Sequence, residues 1–231
     1  MAVAGKTLRS VMVVEDDDAI RLVLRTKPED EGYRVVESVT AEQAFEMIDE
    51  RGDVELVDMR LPGIQGLDLI RSLRSTSQVP IIMVTAQTDS HDVMAGLEAG
   101  ADDYVTKPFM ATNVMAGIRS QLRGTQAVEA EWPVLKCGRV EIRSETAQVL
   151  RNGAPVSVSR TEFHLLAELI GAQGRVLSRD HLLRRVWGYR NVGDGRVVDD
   201  LVCRLGRTIE DDPAKPELLA TVQGFGYRMN A

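Results

Sequence analysis

A chain of 231 residues, 44% of them hydrophobic, is long enough for two globular domains with a core each. Cys137 and Cys203 lie far apart and outside CxxC or Cys/His metal spacing, which argues against a disulfide framework or zinc site and for a reducing, cytoplasmic setting; no stretch approaches ~18 apolar residues, and MAVAGKTLRS lacks the apolar core of an export signal. The net charge of −7 divides unevenly: residues 1–130 hold 13 Lys and Arg against 22 Asp and Glu, and residues 131–231 hold 15 against 13, so a polyanionic partner belongs to the second half.

The first predicted strand, RSVMVVE, runs into four consecutive carboxylates, Glu15 to Asp18. A helix follows from about Ala19, but Pro28 falls inside its pattern at a typical cost of ~3 kcal/mol, so the helix is expected to end near Lys27 or to kink. YRVVES, a helix from Ala41, VELVD, GLDLIRSLR, PIIMVTA, HDVMAGLEAG, DDYVTK and ATNVMAGIRSQLR then alternate β-branched runs with amphipathic ones. Five strands each followed by a helix predict an α/β domain on a parallel sheet, whose ligands sit beyond the carboxyl ends of the strands.

Periodicity lapses in GTQAVEAE, so the domains are expected at 1–123 and 132–231, with 124–131 as linker. Beyond it come strand signals at LKCGRVEIR and QVLRNGAPVSV, the latter turning at Asn152-Gly153. Three helical stretches follow, RTEFHLLAELIGAQG, SRDHLLRRVW and GRVVDDLVCRLGRTIED, before the strand pair LLATVQ and GYRM. Helices flanked by small sheets make this second domain α+β.

The strand ends of the first half each carry a polar group: Glu15 and Asp16, then Asp58, Thr85 and Lys107. Taken singly, acidic residues at strand ends are solvated or cap helices; Asp18 reads as the cap of the first helix and Asp17 as solvated. Taken together, three carboxylates at one sheet edge repel unless a cation joins them, and an all-oxygen set suits a hard ion such as Mg²⁺. Lys107 adds a point charge for an anion beside the metal, and Thr85 a hydroxyl. Asp58, alone at the centre, is the candidate nucleophile for forming an acyl phosphate. A metal-dependent hydrolase would want an acid/base carboxylate two residues further on; Arg60 stands there, so no true enzyme is expected.

VVEDD, VDMRLPG, VTA and GADDYVTKPF, in that order, resemble the receiver domain of bacterial response regulators. The resemblance implies a flavodoxin-like fold, with Mg²⁺ held by Glu15, Asp16, Asp58 and the backbone carbonyl of Arg60. It further implies that Asp58 takes a phosphoryl group from a sensor histidine kinase, that Lys107 meets the phosphoryl oxygens before a cis bond to Pro108, and that Thr85 and Tyr104 act as the switch. RTEFHLLAELI, RDHLLRRVWGY, GRVVDDLVCRL and TVQGFGYR resemble the winged helix-turn-helix domain of the OmpR/PhoB family, which implies double-stranded DNA as partner, read as tandem half-sites by a homodimer formed on activation.

On a 3.6-residue wheel Val198, Val202, Leu205 and Ile209 form the inward stripe, leaving Arg196, Asp200, Cys203, Arg204 and Arg207 opposite. Arg196, Arg204 and Arg207, with Thr221 and Gln223 of the wing, are the expected DNA contacts. Asp200, Leu201, Gly206 and Gln223 occupy positions where the family usually presents polar or basic groups, which implies weaker or unusually selective DNA binding. The alternative reading is a receiver-controlled interaction protein. Ala95, Asn113, Gly117 and Gly124 likewise stand where charged residues of the family's receiver dimer commonly sit, leaving Asp102 and Asp103 without arginines and the interface atypical.

Overall fold

A computed structural model describes residues 8–47, 52–86, 90–129, 134–187 and 195–230. The chain divides into two compact units, Met1–Ile118 and Arg119–Ala231. In the first, β1 (Ser10–Val14), β2 (Arg34–Ser38), β3 (Val54–Asp58), β4 (Ile81–Ala86) and β5 (Asp103–Lys107) form one sheet in the order β2-β1-β3-β4-β5. All four pairings are parallel. Every residue of β1 and β3 is buried, as expected of central strands covered on both faces by crossover helices. Those helices are α1 (Asp18–Asp30), α2 (Ala41–Glu46), α3 (Gly66–Thr76), α4 (Ser90–Ala99) and α5 (Ala111–Glu129).

Two local expectations change at α1. Its cap is Asp17, whose Oδ1 accepts from the N–H groups of Ala19 and Ile20 at 2.8 and 3.0 Å; Asp18 is the first helical residue, exposed and paired with Arg21. The reason is the extended backbone of Asp17, which alone aims a short carboxylate back at the orphan amides of the first turn. Pro28 does not stop the helix at Lys27: it lies buried in the last turn, and its carbonyl accepts from Glu31 and Tyr33 as the chain leaves. In this last turn the missing N–H of Pro28 forfeits one backbone bond.

α5 continues to Glu129, through the stretch where the sequence loses its apolar period, and the division into two units falls within this helix. Residues 130 and 131 of the expected linker lie outside the described residues.

The second unit opens with an antiparallel sheet of β6 (Val134–Cys137), β7 (Val140–Arg143), β8 (Gln148–Arg151) and β9 (Ala154–Val156). Asn152 and Gly153 join β8 to β9 with φ of 52° and 79°, the paired left-handed conformation that a two-residue hairpin needs. α6 (Arg160–Gly171) starts at a reciprocal cap between Ser159 and Glu162. α7 (Arg179–Leu182) runs into a π-helical turn at Leu183–Trp187, and α8 (Arg196–Ile209) precedes the hairpin of β10 (Leu219–Val222) and β11 (Gly226–Met229). No described helix is long and apolar enough to cross a membrane.

Candidate functional site

Parallel register decides which side chains meet. Val14 pairs with Val57 and Asp58 with Val84, so the first residues beyond β1, at the end of β3 and near the end of β4 share one edge of the sheet. Glu15, Asp16 and Asp58 each offer a carboxylate oxygen within 4.8 Å of the others, the first and last buried and Asp16 exposed. An all-oxygen donor set this tight, open on one side, fits a hard divalent cation.

Lys107, at the end of β5, reaches into the cluster. Its ammonium donates to Asp58 Oδ2 at 2.8 Å and to Glu15 Oε1 at 3.0 Å. Burial pushes the Glu15 carboxyl up to about 7, against the lowering effect of the Lys107 bond and with added repulsion from Asp58. Burial also works against the ammonium of Lys107, but its bonds to Asp58 and Glu15 outweigh that and raise its pKa. Glu15 and Lys107 are therefore electrostatically linked, and an arriving cation or anion would shift the balance between them. The peptide bond from Lys107 to Pro108 is cis.

Thr85 completes the edge. Its hydroxyl is buried and has no hydrogen-bond partner, an arrangement that costs about 1–3 kcal/mol unless something is there to receive it. An anion seated on Asp58 and Lys107 would supply that acceptor. Tyr104 is half-buried on β5, opposite Met83. Arg60 is exposed; its N–H donates to Asp58 Oδ1 at 3.3 Å and its guanidinium lies 3.8 Å from Asp92.

Three supports of this edge were not foreseen. Arg21 Nη1 donates to the carbonyls of Glu15 and Asp16 at 2.8 and 3.1 Å, fastening the loop that carries both carboxylates. Glu42 accepts from the N–H of Ile64 at 3.2 Å and holds the loop after β3. Gly66 begins α3 so close to β3 that a Cβ there would collide with the carbonyl oxygen of Asp58. The signal for Arg21 was present, one helical turn after Asp17; the others are long-range and leave no local pattern.

The surface expected to pair receivers differs from its sequence reading. Asp102 is buried and has its arginine, Arg74 of α3, at 2.5 Å; it also accepts from the N–H of Ile81. Asp103 is buried as well, bonded to the N–H of Tyr104. Gly117 is buried, with a Cβ there reaching to 3.3 Å of Ile82, so its position serves packing against the sheet. Ala95 is half-buried and Asn113 exposed; the side-chain surroundings of position 124 lie outside the described residues.

In the second unit, α8 buries Val198, Val202, Leu205 and Ile209 as expected, and Val197 and Leu201 in addition. Leu201, at 2% exposure, is core and offers nothing to a ligand. Arg204 is also drawn in: its Nε lies 3.2 Å from Glu162 Oε1, and the two side chains are 12% and 7% exposed. Arg207 and Cys203 are exposed, Arg196 and Asp200 half-buried, and Thr221 and Gln223 exposed on the hairpin.

A network missed in the sequence joins this helix to the hairpin. The Tyr227 hydroxyl donates to Asp199 Oδ1 at 2.6 Å and accepts from Arg179 at 3.1 Å, while Arg179 Nε donates to Asp199 at 2.6 Å and its guanidinium stacks 5.0 Å from the Tyr227 ring. Burial, then the bond to Asp199, pushes the Tyr227 phenol well above its ordinary value.

Residues 11–119 match the response regulator receiver domain, and residues 153–229 match the C-terminal domain of transcriptional regulatory proteins. The chain is 41% identical over 219 residues to the DNA-binding response regulator MtrA of Mycobacterium tuberculosis, covering 94% of this chain and 95% of that protein. It is 43% identical over 236 residues to the transcriptional regulatory protein CseB of Streptomyces avermitilis, covering 96% and 97%. Among solved structures, the response regulator DrrB, an OmpR/PhoB homolog of Thermotoga maritima, is 29% identical, with 97% of this chain and 100% of that one aligned at a TM-score of 0.52. A mutant of RitR at 24% identity shares the fold, with a TM-score of 0.76 over 96% and 99% of the two chains.

Proposed function

This chain belongs to the OmpR/PhoB-type response regulators of two-component systems, and on that premise we propose that Asp58 is its phosphoacceptor and that α8 with the β10–β11 hairpin is its DNA-reading face. The observation that carries the first half is the meeting of Asp58, Lys107 and the unpartnered Thr85 hydroxyl beyond one sheet edge. An oxygen of Asp58 attacks phosphorus on the phosphohistidine of a sensor kinase; the O–P bond forms as the P–N bond breaks and the imidazole departs with the electron pair. Lys107 turns from its carboxylate partners to the new phosphoryl oxygens, and the Thr85 hydroxyl gains an acceptor. Glu15, Asp16, Asp58 and the backbone carbonyl of Arg60 would hold Mg²⁺, which when bound neutralises the clustered charge and polarises a phosphoryl oxygen. Tyr104 is the aromatic switch residue that follows the Thr85 movement.

In the DNA-binding unit we assign contacts to Arg196, Arg207, Thr221 and Gln223, and give Arg204 to the fold because its guanidinium neutralises Glu162. The receiver occupies 1–123 and the DNA-binding domain 132–231, with the first six residues of the connecting 124–131 continuing α5. Phosphorylation pairs two receivers in the cytoplasm and places two DNA-binding domains on tandem half-sites. Because Asp102 and Gly117 are used internally, that pairing draws on other residues of the receiver surface.

Incubation with acetyl phosphate and Mg²⁺, read by phosphate-affinity electrophoresis, tests the receiver. The parent should be labelled and Asp58→Ala should not; equal labelling of the two would sink the assignment. Electrophoretic shifts over a salt series test the second domain, and no complex at low salt in either phosphorylation state would remove the DNA claim.

A further inference from the structure

Asp16 is the exposed member of the carboxylate cluster, and among the described residues no hydrogen bond or ion pair reaches its side chain. Its place is decided by the backbone that carries it, and Arg21 holds that backbone. Arg21 lies in the first turn of α1 with all three guanidinium nitrogens engaged. Its Nη1 donates to the carbonyls of Glu15 at 2.8 Å and Asp16 at 3.1 Å, its Nη2 donates to the Asp18 carboxylate, and its Nε lies 3.6 Å from Glu37 of β2. The side chain is 15% exposed, so these bonds are largely shielded from water. A planar guanidinium can span two carbonyls and two carboxylates at once, which the compact ammonium of a lysine does not. The loop is tied at its start as well, where the Glu15 N–H donates to the Ser38 carbonyl at 3.1 Å, and at its end by the Asp17 cap. Glu15 and Asp16 thus project from a backbone fixed at three points, while Asp58 arrives on the fully buried strand β3.

The consequence falls on which cation fits. Mg²⁺ demands near-ideal octahedral ligands at about 2.0–2.1 Å, whereas Ca²⁺ accepts a looser set at about 2.3–2.6 Å. A loop that presents two neighbouring carboxylates already in place meets the stricter demand without an ordering cost on binding; a slack loop suits the laxer one. We propose that Arg21 is a positioning residue that sets the cation preference of this edge, holding Glu15 and Asp16 at the spacing that a small octahedral ion needs. The inference rests on the reading of Glu15, Asp16 and Asp58 as the residues that hold the metal. Charge alone predicts the opposite sign. Removing the guanidinium leaves Asp18 and Glu37 uncompensated beside the site, and that added negative charge draws a divalent cation in. Weaker Mg²⁺ binding on loss of Arg21 therefore reports position, and stronger binding reports charge.

The test uses the full-length, unphosphorylated protein titrated with Mn²⁺, the free ion being read by electron paramagnetic resonance, with Mg²⁺ and Ca²⁺ then added as competitors. Arg21→Ala should weaken Mg²⁺ binding about tenfold and Ca²⁺ binding no more than about threefold, so that the preference for Mg²⁺ falls. A general loss of folded protein would lower both alike and leave their ratio in place. Arg21→Gln keeps a side-chain N–H for one carbonyl and drops the charge; it should recover part of the Mg²⁺ affinity, and it carries the comparison if Arg21→Ala does not fold. The loss should persist at raised ionic strength, which screens an effect of charge through solvent. An unchanged ratio of Mg²⁺ to Ca²⁺ affinity in both variants overturns the proposal, as does tighter Mg²⁺ binding in both. A parent that binds Mn²⁺ no better than the double variant Asp16→Asn, Asp58→Asn removes the reading of this edge as a metal site, and this proposal with it.

Discussion

Arg204→Ala removes the guanidinium facing a carboxylate shut inside the second unit. The pair is 3.2 Å apart with side chains 12% and 7% exposed, and the other oxygen of Glu162 already accepts from the Ser159 N–H at 2.7 Å. Without Arg204, the Glu162 charge keeps that backbone donor and gains little water. Breaking a buried pair from one side typically costs ~3–5 kcal/mol; the partial exposure of Arg204 brings the expected loss to about 2–4 kcal/mol. Urea unfolding followed by the fluorescence of the fully buried Trp187 reads this directly. Glu162→Gln keeps an acceptor for Ser159 and removes the charge, so Glu162→Gln combined with Arg204→Ala should recover at least half of the loss. Arg207→Ala, at an exposed position, should leave the urea midpoint in place and lower the slope of log affinity against log salt by about one. The reasoning is refuted if Arg204→Ala stays within about 0.5 kcal/mol of the parent yet loses DNA affinity, because the guanidinium would then be serving the ligand.

Three further outcomes are expected. His164, half-buried on α6, has its pKa lowered to about 4, by burial first and the charge of Arg160 second. A histidine kept neutral by the fold contributes stability above its unfolded pKa and loses it as pH falls: between pH 7 and pH 5 unfolding should become easier by roughly 2 kcal/mol, and His164→Leu should flatten that part of a urea-midpoint profile. An equally steep profile in the variant would show that other groups carry the acid sensitivity. Gly206 has nothing within 4 Å of an added Cβ and no left-handed φ, so Gly206→Ala should raise stability by about 0.5–1 kcal/mol in the same assay. Asp17→Ala should lower the urea midpoint of the receiver and Asp18→Ala should not; the reverse order would return the cap to Asp18.

The receiver was legible because topology did most of the sorting. Glu15, Asp58, Thr85 and Lys107 are each the polar end of a β-branched run, and in a parallel sheet the ends of neighbouring strands on one edge converge whatever the loops do. Errors came where two candidates competed within a turn or where a partner was distant. Asp17 and Asp18 differ in φ and ψ, which composition does not report, and Asp102 meets Arg74 twenty-eight residues away on α3.

The pairing of Arg204 with Glu162 has a geometric origin. The wheel gives Val198, Val202, Leu205 and Ile209 as one apolar stripe of α8; Val197 and Leu201 are buried as well. At about 100° per residue, adding those two turns the centre of the buried arc by roughly 40°, which moves Arg204 from the far side of the helix to its flank and leaves Arg196, Cys203 and Arg207 most nearly opposite. A flanking arginine can reach the carboxylate of the next helix, and Glu162 is what it finds. On the proposed DNA-reading role, α8 offers two outward arginines where the wheel suggested three, so its salt dependence should be shallower by about one unit than the sequence implied.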